Sequence, residues 1–319
     1  MTPNTIIAGD CLEVMRSWPD KCVDLVCCSP PYENCRKYAE LEFNLSGQDW
    51  VDWMFVRIKE MVRICKGLVV VNCEGKTKNY RYSCTPFLLM ADLHRSGFNL
   101  RKPAVFHRVG IPGSGGPDWI RNDWEPIICI TPPGKLSWSD STACGHPPKW
   151  APGGEMSNRL KSGARVNQWG DPIGSGATVT DSEGVTRSHG KRPSHVTPSQ
   201  CQRENGEDGS GSYDAPAIAN PGNVLSLKVG GGLMGSKLSH ENEAPFPETF
   251  AEFWVKSFCP PAGIVLDPFC GSFTVGAVAV KNGRQYVGID QRQSQVDLSE
   301  RRVIEARKFV TASQTLFKE

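Results

Sequence analysis

Short apolar runs recur along the first 130 positions, at TIIAGD (5–10), VDLVCCS (23–29), GLVVVNC (67–73), KPAVFHRVG (102–110) and PIICITP (126–132). Runs of this length bounded by Gly, Pro, Ser or Asp predict buried strands. Between the second and third lies WVDWMFVRIKEMVRIC, whose apolar positions 51, 54, 55, 58, 61, 62 and 65 follow the three-and-four spacing of a helix with one buried face. The alternation returns from about residue 222, with a helix at PETFAEFWVKSFC, a strand at GIVLDPF, a helix at TVGAVAVKNG, a strand at QYVGID and a terminal helix at SQVDLSERRVIEARKFV. Strands alternating with helices predict an α/β fold with a mostly parallel, twisted sheet covered on both faces. The stretch 131–221 breaks the pattern, being rich in Gly, Pro and Ser and poor in aliphatic runs. A segment of that length inside a compact domain is expected to be functional or to fold against a partner. The chain therefore divides into 1–130, an insertion at 131–221, and 222–319.

Composition narrows the class only a little. With 319 residues the chain has room for a large core. Its net charge of +2 argues against binding polyanions through overall charge, so any nucleic-acid surface must be regional. Within 149–203, eight Lys or Arg stand against four acids, an excess of four, with Trp138, Trp150 and Trp169 beside or among them. The 13 cysteines form no C-x-x-C pair and read as reduced, mostly buried thiols. No stretch approaches the roughly 18 apolar residues of a membrane span, and the N-terminus lacks a basic region followed by an apolar run. The expectation is a soluble, intracellular protein.

Two corners carry the chemistry. The strand at 23–28 stops on Ser29-Pro30-Pro31-Tyr32, where the prolines fix φ and remove backbone donors. The strand ending at Asp267 is followed by a tight turn containing Gly271, a helix, and a second strand that ends at Asp290. This is the layout of a nucleotide-type pocket at the carboxyl edge of a parallel sheet, with an acid about 20 residues on to bind ribose hydroxyls. Taken alone, the same corner reads equally as a simple tight turn. The absence of G-x-G-x-x-G, and of Lys followed by Ser or Thr after the loop, argues against a pyrophosphate or triphosphate cradle.

Together, Ser29-Pro30-Pro31-Tyr32 and Asp267-Pro268-Phe269-Cys270-Gly271-Ser272 resemble the S-adenosylmethionine-dependent DNA amino-methyltransferases, in the permuted order that places the catalytic motif before the cofactor loop. The similarity covers both flanking parts and leaves the middle segment unmatched. It implies a Rossmann-like methyltransferase fold, S-adenosylmethionine as methyl donor, and methylation of an adenine N6 or cytosine N4 amine on a base flipped out of double-stranded DNA. In this resemblance Ser29 and the Pro30 carbonyl accept the N–H bonds of an amine whose lone pair is delocalised into the ring. Pro31 stiffens the corner, and Tyr32 stacks on the base. Cofactor contacts fall on Asp10 and Cys11, on Phe246 as a wall, on Asp267, Phe269, Cys270, Gly271, Ser272 and Thr274, and on Asp290. Phe273 departs from the family's second glycine and adds bulk where the backbone should approach the ligand.

The middle segment then becomes the target-recognition region. DNA contacts are expected from Lys149, Arg159, Lys161, Arg165, Lys191 and Arg192, from Arg36 and Lys37 after the catalytic corner, and from Arg108 in a strand near the base. Cys144, His146, His189, His195 and Cys201 raise a zinc site, but their spacing matches no common structural arrangement, so no metal is expected. Ser in the first motif position leans toward cytosine, although Ser29 can accept from either amine. A dinucleotide-dependent oxidoreductase, an RNA or protein-amide methyltransferase, and a catalytically impaired DNA-binding relative are the competing readings. The resemblance also implies a homodimer, and a bacterial or phage-type enzyme working in the cytoplasm on nucleoid DNA.

Overall fold

The computed structural model describes residues 1–33, 43–110, 116, 118–148, 178–180, 186–188 and 217–316. In chain order the strands are β1 (Thr5–Ala8), β2 (Val23–Cys28), β3 (Cys65–Asn72), β4 (Thr77–Lys78), β5 (Arg81–Tyr82), β6 (Ala104–Val109), β7 (Trp124–Ile130), β8 (Thr178–Thr180), β9 (Thr186–Ser188), β10 (Val224–Lys228), β11 (Ile264–Asp267) and β12 (Gln285–Asp290). The helices are α1 (Cys11–Arg16), α2 (Gln48–Ile64), α3 (Thr85–Arg95), α4 (Glu248–Phe258), α5 (Thr274–Lys281) and α6 (Gln293–Leu316).

An 8-stranded sheet runs β1-β12-β11-β2-β3-β7-β6-β10. Every neighbouring pair is parallel except those made by β7, which runs against both β3 and β6. One face packs on α2 and α3 through Trp50, Met54, Ile58, Met61 and Leu89. The other packs on α4 and α5 through Phe250, Trp254, Val275 and Val278. Two-sided cover explains why the strands read as continuous apolar runs rather than as alternating ones.

The predicted strands and helices all form, with edges shifted by a few residues. Four elements were not predicted. Helix α1 is capped by Asp10, whose carboxylate accepts the N–H of Leu12 and Glu13. Helix α3 carries Pro86 in its first turn. Strand β10 lies inside a Gly- and Pro-rich stretch and pairs with β6. The fourth is the short β4–β5 hairpin.

The chain separates into two units, Met1–Cys144 with Pro221–Glu319, and Gly145–Asn220. The boundary thus falls later than 131, because residues 131–144 remain tied to the larger unit. Thr131 Oγ1 accepts from Asn99, the Gly134 carbonyl accepts from Arg101, and Asp140 N–H donates to the Ser257 carbonyl. In the smaller unit, β8 pairs with β9 and His146 bridges to Ala219. No helix among the described residues is long and apolar enough to cross a membrane.

Candidate active site

Strands β2 and β11 are direct neighbours, with Leu25 opposite Val265 and Val26 opposite Leu266. Because they are parallel, both end at the same edge of the sheet, so Ser29 and Asp267 lie at adjacent strand tips despite their separation in the chain. The ends of β1, β3, β6 and β12 arrive at the same edge, and β7, being reversed, brings its start there. A cleft of about 790 Å³ opens along this edge. Its volume is at the upper end for a small-molecule pocket, leaving room for two reactants.

At one end of the cleft is the proline corner. The Trp50 indole N–H donates to the Pro31 carbonyl at 2.8 Å, so a fully buried residue of α2 holds the corner from behind. Tyr32 is not a bare stacking platform. Its hydroxyl lies 2.7 Å from Glu125 Oε2, 2.8 Å from Asn72 Nδ2 and 3.1 Å from Ser29 Oγ. A carboxylate only accepts and an amide nitrogen only donates, so the Tyr32 proton goes to Glu125 and its oxygen receives from Asn72 and Ser29. Asn72 Nδ2 also donates to Glu125 Oε2 at 2.6 Å, and Arg108 pairs with Glu125 Oε1 at 3.1 Å. Burial, and then the Glu125 charge, push the Tyr32 phenol well above its ordinary pKa, so it stays protonated.

The other end is built from β11, β12, β1 and the segment before α4. Gly271 has φ +50°, and a Cβ there would fall 2.8 Å from Asn242 Nδ2, so the turn requires glycine. Its N–H donates to Asp290 Oδ2 at 3.0 Å, and the Arg292 N–H donates to Asp290 Oδ1 at 3.0 Å. Each carboxylate oxygen therefore keeps a lone pair for a ligand hydroxyl. Phe269 packs against Trp53 at 5.8 Å, and Trp53 against Phe43 at 5.0 Å, forming an aromatic wall beside Cys11. Asp10 pairs with Arg57 at 2.7 Å and accepts from Gln291 at 2.7 Å. Burial would raise the Asp10 pKa, but Arg57 and the α1 N–H groups outweigh it and hold the carboxyl below its ordinary value.

Most of the predicted cofactor positions line the cleft: Asp10, Cys11, Phe246, Phe269, Cys270, Gly271, Ser272, Thr274 and Asp290. Asp267 does not. It is 1% exposed and accepts the Phe269 N–H at 3.1 Å, shaping the turn from beneath. Burial, with a smaller repulsion from Asp290, pushes its pKa from 3.8 to about 8. Phe273 does not fill the cleft either. At φ +55° its ring turns into the core against Tyr286, and the missing side chains of Gly276 and Gly288 make room for it. The expected bulk at the ligand is thus buried beneath the sheet edge.

Arg108 sits on the cleft wall with its guanidinium engaged by Glu125 and by the Asn122 carbonyl, rather than presented to a duplex. Arg36, Lys37, Lys149, Arg159, Lys161, Arg165, Lys191 and Arg192 lie outside the described residues, as do His189, His195 and Cys201 of the zinc set. No metal-ligating cluster occurs among the described residues. Sequence reasoning missed Glu125, Asn72, Trp50 and Arg57. The available signals were faint: an acid at the mouth of an apolar strand, an Asn closing another, and an Arg on the buried stripe of a predicted helix.

A family model described as DNA methylase, of the N6/N4 methyltransferase group, matches residues 23–301. The DNA adenine methyltransferase YhdJ of Escherichia coli (strain K12) is 24% identical over 299 residues, covering 94% of this chain and 82% of YhdJ. The type II methyltransferase M.ScaI of Streptomyces caespitosus is 25% identical over 301 residues, covering 91% and 78%. The fold matches the PvuII DNA methyltransferase (cytosine-N4-specific) with a TM-score of 0.58 at 17% identity, covering 97% of this chain and 93% of that one. It also matches a DNA modification methylase of Thermus thermophilus, TTHA0409, complexed with S-adenosylmethionine, with a TM-score of 0.53 at 18% identity and coverage of 95% and 94%. With the family model spanning most of the sequence, the chain belongs to the N6/N4 DNA methylases, enzymes that move a methyl group from S-adenosylmethionine to an exocyclic amine of adenine or cytosine in DNA.

Proposed function

We propose that the cleft holds S-adenosylmethionine at the Gly271–Asp290 end and a flipped base at the Ser29–Tyr32 end. The observation that carries this is the adjacency of the two strand tips across one cavity. Asp290 would take the ribose hydroxyls, Phe269 and Cys11 the adenine side, and Phe246 the methionine side. The bound cofactor supplies an electrophilic methyl on a sulfonium centre.

The chain's own residues prepare the amine. Ser29 gives its proton to Tyr32 and Tyr32 gives its own to Glu125, so the Ser29 lone pairs are free to accept an amine N–H. Among the described residues nothing donates to the Pro30 carbonyl, whereas that of Pro31 is occupied by Trp50. Two acceptors on one amine pull it toward sp3 geometry and expose its lone pair. Once methylated, the cationic amine releases a proton to Ser29 Oγ, while the Ser29 proton passes to Tyr32 and the Tyr32 proton to Glu125. Holding both reactants in line, rather than a strong base, provides most of the acceleration.

The Gly145–Asn220 unit is proposed as the target-recognition region, with Lys149, Arg159, Lys161, Arg165, Lys191 and Arg192 as phosphate or base contacts and Arg36 and Lys37 beside the catalytic corner. The active species is proposed as a homodimer on nucleoid DNA. Incubation with methyl-labelled S-adenosylmethionine and unmethylated DNA, followed by nucleoside mass spectrometry, should give N6-methyladenine or N4-methylcytosine at one mapped sequence. Label appearing only in RNA or protein, or nowhere despite DNA binding, would overturn the reading.

A further inference from the structure

The hairpin connecting β6 to β7 carries two large apolar side chains in open solvent, Trp119 at 77% and Ile120 at 79% exposed. Nothing in the site described above uses them. Their placement is specific. Strand β6 runs parallel to β3 and β7 returns against it, so this connection projects from the sheet edge on which the cleft opens. Arg108 and Glu125, which flank the connection, both line the cleft. Its returning leg is fastened there: Arg108 N–H donates to the Asp123 carbonyl at 2.7 Å, the Arg108 guanidinium to the Asn122 carbonyl at 3.2 Å, and Asn122 Nδ2 to Glu74 at 3.4 Å. Trp119 is three residues from that anchor, which limits its Cα to about 11 Å from Asn122.

The geometry points to Trp119 and Ile120 as the wedge that enters the duplex and fills the space vacated by the flipped base. Removing a base from the stack leaves an apolar gap between neighbouring pairs, and inserted apolar side chains close such gaps in kinked DNA. A flat indole followed by a branched aliphatic, with Arg121 next in sequence to meet phosphate, suits that gap. A second copy of the chain is a poorer occupant. Each large side chain buries at most about 250 Å², whereas a stable dimer needs about 800 Å² per partner.

The inference rests on the base-flipping reading, and the experiment keeps the two separable. The Trp119→Ala/Ile120→Ala double variant and the wild type are compared on a duplex carrying the mapped methylation sequence, and on the same duplex with an abasic site opposite the target base. Without a pairing partner the target leaves the stack cheaply, so a wedge matters less. The double variant should bind S-adenosylmethionine as the wild type does, lose about tenfold or more in single-turnover rate on the intact duplex, and recover most of that loss on the abasic duplex. Target-site 2-aminopurine fluorescence should rise with wild type and much less with the variant. Equal rates on the intact duplex, or an equal loss on both duplexes, would overturn the wedge. So would conversion of a dimer to a monomer, which would make the loop a self-interface. Failure of the wild type on both duplexes would instead sink the base-flipping reading itself.

Discussion

The replacement Tyr32→Phe isolates the hydroxyl chain from the ring that carries it. The lost hydroxyl has three partners: Glu125 at 2.7 Å, Asn72 at 2.8 Å and Ser29 at 3.1 Å. Glu125 is not orphaned, since Asn72 stays on Oε2 at 2.6 Å and Arg108 on Oε1 at 3.1 Å. The change therefore leaves no unpaired buried charge, and the fold should tolerate it. Ser29, however, loses its acceptor, and its freed proton can turn toward the amine and compete for the position an amine N–H should occupy. A hydrogen bond to a charged group is worth about 1.5–3 kcal/mol and a neutral one about 0.5–1.5 kcal/mol. If about 1.5–3 kcal/mol of this is felt only in the transition state, the methyl-transfer step slows roughly tenfold to a hundredfold. Because the ring remains, DNA affinity should stay near wild type. Single-turnover transfer of labelled methyl measures the step, with calorimetric S-adenosylmethionine binding as the control for folding. A Tyr32→Phe rate equal to wild type, in preparations where Tyr32→Ala is inactive, would refute the hydroxyl chain and leave Tyr32 as a stacking surface alone.

Three further outcomes are expected. Asp290→Ala should weaken S-adenosylmethionine binding by roughly tenfold or more while leaving the melting temperature little changed, because the lost carboxylate faces the cleft; unchanged calorimetric affinity would move the ribose site elsewhere. Asp267 has its pKa raised from 3.8 to about 8, so the folded state binds a proton that the unfolded state has lost, and stability falls as pH rises through that window. Asp267→Asn should flatten that slope, which is at most about 1.4 kcal/mol per pH unit, and the test is urea midpoints for both proteins from pH 5 to 9. Phe273→Gly would restore the family's glycine yet empty the space against Gly276 and Gly288, so a destabilisation of about 3–5 kcal/mol is expected with no gain in cofactor affinity; tighter binding would return Phe273 to the cleft.

What the sequence revealed and what it concealed have distinct physical origins. The two corners were legible because a buried strand must end somewhere, and Pro-Pro or Asp-Pro followed by Gly leaves the backbone few options there. Asp290 was legible by its distance along the chain from Asp267. Glu125 was not, because its role depends on β7 running against β3, and a continuous apolar run looks the same in either direction. Trp50 and Arg57 were concealed by the helix period itself: Arg57 is 7% exposed and lies on the buried face, where a stripe drawn from apolar residues omits it. Phe273 was misplaced for a related reason, since the sequence shows its bulk but not that Gly276 and Gly288 make room beneath the sheet. Asp267 read as a cofactor contact because it ends the strand, while burial turns it inward to hold the Phe269 N–H.

The central claim is that methyl donor and base amine meet between the tips of β2 and β11. A ternary crystal structure of this chain with S-adenosylhomocysteine and a duplex carrying its mapped sequence tests it most directly. The account predicts the ribose on Asp290, the target amine within hydrogen-bond reach of Ser29 Oγ and the Pro30 carbonyl, and about 3–3.5 Å between reacting atoms once the methyl is placed on sulfur. A cofactor bound away from the Gly271 turn, or a target base that never reaches Ser29, would contradict it.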